Sequence, residues 1–97
     1  MTTAEIDISM RKGARDIDPR RTEVEQKLRR IVATVAEVPA EFANAASLQD
    51  DLGIDSFRAL ELVFEVERTF GVGIPADGFN AVETFADMVT LVQSLTP

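Results

Sequence analysis

The residues best placed to do chemistry stand in one run, Asp50-Asp51-Leu52-Gly53-Ile54-Asp55-Ser56-Phe57. Ser56 offers a hydroxyl beside a carboxylate, at the point where an apolar helical pattern begins. The chain has no cysteine and no histidine. Thiolate chemistry, disulfides and the usual Cys/His zinc sites are therefore excluded. No nucleophile–base pair is visible, so no catalytic residue and no metal ligand is assigned. Taken alone, Asp55-Ser56 reads as a helix start, because Asp and Ser are both favoured N-caps. Whether the hydroxyl does more depends on its surroundings.

Those surroundings read as helices. Val24, Leu28, Ile31, Val32 and Val35 recur at helical spacing, which predicts a first helix from about Thr22 to Glu37. Asp18-Pro19 and the capping-box pattern Thr22-x-x-Glu25 signal its start, and Pro39 its end. A long connection follows to Asp55, with Phe42, Leu48, Leu52 and Ile54 as candidate anchors and a single helical turn near Ala40–Phe42. Loops of this length inside a small domain are often functional. The second helix is expected over Ser56–Phe70, broken by Gly71 and Gly73, with Ile74-Pro75 opening the next turn. A short helical piece is expected around Asp77–Val82. The last helix is expected over Thr84–Leu95, with Thr84-x-x-Asp87 as its capping box and Phe85, Met88, Val89, Val92 and Leu95 as its buried stripe. No strand-like alternation is sustained. The fold class is all-α: three principal helices and one short one, in residues 19–97, behind a flexible tail at 1–18.

The second helix is apolar on two sides. Leu62, Val66 and Phe70, with Ala59 and Val63, form the core face. Phe57, Leu60 and Phe64 lie roughly opposite and share that side with Glu61 and Arg68. Either the long loop covers Phe57 and Leu60 as ordinary core, or the stripe is exposed for a partner.

The string Leu-Gly-x-Asp-Ser-[large apolar], followed by Glu61-Leu62, Phe70 and Ile74-Pro75, resembles the acyl carrier protein family from about Thr22 to Leu95. The resemblance implies that Ser56 receives 4′-phosphopantetheine from coenzyme A through a phosphopantetheinyl transferase. Asp55 would cap the helix and contact the transferase. Phe57, Leu60, Glu61, Phe64 and Ile74 would dock acyl-transferring or acyl-modifying enzymes. A phosphodiester suits a helix N-terminus, where backbone N–H groups are unpaired. Gly53 would let the backbone turn sharply into the site. An acyl chain would fold back among Leu62, Val63, Val66, Phe79, Phe85, Met88 and Val89, which equally read as plain core.

Two residues depart from the family pattern: Arg58, where an acidic residue is common, and Arg68 later in the helix. They would either oppose basic surfaces of unwanted partners, as in a specialised carrier, or form salt bridges such as Arg68–Glu65. The net charge of −7 is uneven, with eight basic and six acidic residues in 1–36 against two and eleven in 37–97. An acidic body excludes nucleic acid as a natural partner and favours a basic protein patch. No window is apolar enough for a membrane span, and no export signal is read, so a cytoplasmic monomer is expected. Two other functions stay open: a discrete peptidyl or aminoacyl carrier, and an unmodified helical interaction module.

Overall fold

The computed structural model describes residues 19–97, and the expected tail at 1–18 lies outside them. Helix α1 spans Pro19–Ala36, α2 Ser56–Phe70, α3 Ala76–Asn80 and α4 Phe85–Leu95. Helix α1 packs against both α2 and α4, and α3 rests on α4. The expected all-α bundle is present, and no described helix is long and apolar enough to cross a membrane.

The apolar stripes meet in one core. Leu28, Val32, Leu62, Val66, Phe85, Met88 and Val92 have no solvent exposure at all. Burying each such side chain stabilises the fold by about 1.5–3 kcal/mol. Pro19, three residues before the expected start, is already helical. Thr22 therefore lies inside the helix, and Glu25 pairs forward with Arg29 at 3.7 Å instead of closing a capping box.

The end of α1 also differs from expectation. The helix stops at Ala36 because Glu37 turns left-handed, with φ of 59°. Val38 N–H then donates to the Ala33 carbonyl at 3.0 Å, the hydrogen bond of a Schellman ending. Pro39 lies beyond a helix already closed. The short helix α3 covers five residues, Ala76–Asn80, and does not reach Val82. Helix α4 starts with both hydrogen bonds of its predicted capping box, Thr84 serving as the cap itself. The Thr84 and Glu83 backbone N–H groups hold the Asp87 carboxyl below the usual carboxylate range.

The long connection is a tied structure. Leu48, Leu52 and Ile54 are buried as anchors, with Ala46 beside them. Leu48 N–H donates to Glu83 O, while Phe85 and Ala86 N–H donate back to Ala46 O and Asn44 O. The helical turn expected near Ala40–Phe42 does not form. Arg29 from α1 takes those carbonyls instead: its Nη1 donates to Ala40 O at 2.8 Å and to Phe42 O, and its Nη2 donates to Asn44 Oδ1. The guanidinium also lies 4.5 Å from the Phe42 ring centre and 4.6 Å from that of Phe85. Phe42 meets Phe85 edge-on at 5.0 Å.

Candidate functional site

The loop delivers its last residues to the start of α2 through Gly53, whose φ of 72° suits glycine. Ile54 N–H donates to Leu48 O at 2.8 Å, which fixes the approach. Asp55 is the N-cap: its Oδ1 accepts the Arg58 N–H at 2.9 Å, and its backbone carbonyl accepts the Ala59 N–H. Ser56 is the first helical residue and is exposed. Its Oγ hydrogen-bonds to none of the described residues, and neither does its N–H or that of Phe57. The two residues therefore divide the work. Asp55 does the capping, and the Ser56 hydroxyl is left outside the hydrogen bonding of the turn.

Beside Ser56 opens a groove of about 620 Å³. Leu48, Ile54, Ala59, Phe79 and Val82 supply its apolar lining, and Ser47, Gln49, Asn80 and Thr84 its neutral polar groups. These features fit the phosphopantetheine arm suggested by the sequence resemblance. They offer a free hydroxyl, two unpaired N–H groups where a phosphodiester oxygen would lie, and a mixed groove for an amide chain. The groove also carries Asp50, Asp55 and Glu83, with no cation among its lining residues. Of the seven residues expected to line an acyl cavity, only Phe79 faces this groove. Leu62, Val66, Phe85, Met88 and Val89 are closed into the core, with Val63 and Phe79 partly exposed.

On the outer side of α2, Phe57, Leu60 and Phe64 are 68%, 71% and 65% exposed. The loop does not cover them. Glu61 is exposed among them, whereas Ile74 packs partly against the core and donates its N–H to Glu67 Oε2 at 2.7 Å. The two unusual arginines are both engaged. Arg68 meets Glu65 at 2.6 Å, the spacing expected. Arg58 leaves its own helix, donating to Val35 O at 2.5 Å and approaching Glu37 at 3.5 Å. It thereby satisfies a carbonyl at the end of α1 and ties that end to the start of α2. Neither this contact nor the Arg29 clamp was legible in the sequence, because the partners are carbonyl oxygens that every residue possesses.

Residues 26–92 match the family model described as a phosphopantetheine attachment site. An acyl carrier protein of Amoebophilus asiaticus is 36% identical over 73 residues, covering 74% of this chain and 91% of that one. A non-reducing polyketide synthase of Emericella nidulans is 35% identical over 66 residues, or 68% of this chain and 3% of that much longer one. A solved structure from Mycobacterium tuberculosis, described as a candidate acyl carrier protein, superposes with a TM-score of 0.70 at 24% identity. That superposition covers 73% of this chain and 96% of the other, and establishes the shared fold.

Proposed function

This chain belongs to the phosphopantetheine-attachment family of acyl carrier proteins, and we propose that Ser56 Oγ is the atom to which its arm is fixed. The protein carries acyl intermediates on 4′-phosphopantetheine and presents them to partner enzymes of fatty acid, lipid or specialised metabolite synthesis. The arm, when attached, supplies the thiol that holds the acyl group as a thioester. The chain itself has no cysteine to compete for that acyl group by exchange.

The observation that carries the assignment is the division of labour between Asp55 and Ser56. A serine that capped its own helix would have its hydroxyl committed to a backbone N–H. Here Asp55 Oδ1 takes that N–H. Ser56 Oγ stays exposed at the mouth of an open groove, within reach of a transferase. The carrier's own residues position this oxygen and do no further chemistry. Gly53 sets the turn, Asp55 secures the helix end, and Leu48 and Ile54 anchor the loop below it. Phe57, Leu60, Glu61 and Phe64 form the surface that partners grip, with Ile74 at its edge. The carrier acts as a monomer and as a substrate of other enzymes, without catalysis of its own.

The test is intact mass. Expressed with a broad-specificity phosphopantetheinyl transferase and coenzyme A, the protein should gain the mass of one arm, and Ser56→Ala should gain none. Modification of the alanine variant would move the attachment to another hydroxyl. Failure of wild-type protein to gain mass, while a control carrier does, would remove the assignment. Loading with acyl and with aminoacyl donors then separates an acyl carrier from a peptidyl carrier.

A further inference from the structure

The first turns of α2 carry Ser56 with little apolar packing beneath them. None of residues 56–61 is buried, and of these only Ala59 packs partly against the core. The first buried residue of the helix is Leu62. At 1.5 Å per residue it lies about 9 Å along the axis from Ser56. Ile54 is buried and fixes the chain before Ser56, but no buried side chain fixes the turn after it. Arg58 occupies that gap. Its guanidinium crosses to α1, where Nη1 donates to Val35 O at 2.5 Å and Nη2 lies 3.5 Å from Glu37 Oε2. That carbonyl cannot be satisfied along its own helix. In a continuing helix Val35 O would accept from the N–H of residue 39, and residue 39 is proline, which has none. Glu37, in its left-handed conformation, turns the chain away at the same point. The Arg58 backbone N–H is held in turn by Asp55 Oδ1 at 2.9 Å. One residue thus joins both ends of the 37–55 connection, and Ser56 lies between Asp55 and that residue.

We infer that Arg58 is a positioning residue for attachment at Ser56: its side chain holds the first turn of α2 against the end of α1, so that the hydroxyl is presented from an ordered helix start. The inference rests on the attachment reading above. Attachment by an external transferase requires Oγ to be held in the reacting geometry, and an ordered turn supplies that orientation before the encounter. A turn without buried side chains opens easily by local unfolding. Removing the clasp gives Val35 O to water and leaves Ile54 and the Asp55 cap as the ties at this end. The Glu37 side chain is 77% exposed, so the bond to the Val35 carbonyl carries most of the effect. Shape matters as well as charge. Two nitrogens of the planar guanidinium serve two acceptors at once, which a lysine ammonium on its flexible stem does less well. Arg58 therefore acts by being turned inward, and not by offering its charge to a partner.

The test pairs amide hydrogen exchange of the full chain with the kinetics of its modification by a phosphopantetheinyl transferase and coenzyme A. Arg58→Ala should speed exchange of the amides of residues 59–61 by about 5–20-fold and leave those of residues 62–70 within about 2-fold. The unchanged amides also show that the variant folds. Its kcat/KM for modification should fall by about 3–10-fold. Arg58→Lys should recover less than about half of the lost protection. Glu37→Gln, which changes α1 alone, should speed the same amides by no more than about 2–3-fold. Slower modification of the alanine variant with unchanged exchange at residues 59–61 would mean that Arg58 touches the transferase itself, and would overturn the inference. So would faster exchange with a normal modification rate. Faster exchange spread evenly over residues 56–70, the mark of lower global stability, would overturn it too. Wild-type protein that gained no arm while a control carrier did would instead remove the attachment assignment, and this inference with it.

Discussion

Arg29 offers the sharpest test of how the loop is held. Replacing it with alanine removes two guanidinium–ring contacts, to Phe42 and Phe85. Each is expected to contribute about 0.5–1 kcal/mol at a partly exposed site. The change also removes the Glu25 pair, 3.7 Å away across one helical turn, for about 0.3–0.5 kcal/mol. The hydrogen bonds to Ala40 O, Phe42 O and Asn44 Oδ1 are lost as well. Water can reach the freed oxygens, so a net loss of about 1 kcal/mol is assigned to them together. The total is about 3 kcal/mol, a large part of the ~5–10 kcal/mol expected for a small domain. At about 4–8 °C per kcal/mol for this size, the melting temperature should fall by about 12–24 °C. Thermal unfolding followed by circular dichroism reads this directly. Arg29→Lys separates charge from shape. It keeps the cation but loses the planar fork that serves several acceptors at once, so it should recover less than about half of the loss. If the alanine variant melted within about 3 °C of wild type, or if lysine restored full stability, the clamp would be an incidental contact and the reasoning would fail.

Two further outcomes follow from backbone geometry and titration. Gly53→Ala places a side chain at φ of 72°, with no heavy atom within 4 Å of the new Cβ. The loss, of about 1–2 kcal/mol, should therefore come from backbone strain alone and appear in urea unfolding with an unchanged m-value. The Asp87 carboxyl titrates below its ordinary 3.8 because the Thr84 and Glu83 N–H groups favour its charged form. Its contribution is present above the unfolded value and is lost as pH falls through the folded one. The stability difference between wild type and Asp87→Asn should accordingly be constant near neutrality and shrink below about pH 4. A difference that stayed constant into strong acid would contradict the capping role.

The helix-forming stripes and the Asp55-Ser56 start of α2 were legible in the residue order alone. Those features are local: apolar spacing sets a buried face, and Asp, Ser, Gly and Pro punctuate the backbone within a few residues. Helix α2 begins and ends where that local pattern places it, and the Thr84 capping box forms as written. Local signals were less decisive where two competed. The Thr22 pattern can open a helix, yet Thr22 lies inside one. At the far end Glu37 adopted a left-handed conformation before Pro39 had any effect.

Contacts between residues distant along the chain were decided only by the tertiary structure. Arg29 reaches the loop carbonyls more than ten residues away, and Arg58 reaches back to Val35 across the loop. A carbonyl acceptor leaves no mark on residue identity, so spacing cannot announce such a bond. The choice between a covered and an open stripe on α2 was of the same kind. It turned on where the 37–55 connection runs, and that path is set by Arg29, by Leu48, Leu52 and Ile54, and by the hydrogen bonds to α4. The sequence determined which residues are apolar, which can cap and which hydroxyl begins a helix. The packed chain alone decided that no described residue engages the Ser56 hydroxyl and that Phe57, Leu60 and Phe64 face solvent, because both depend on what other segments leave uncovered.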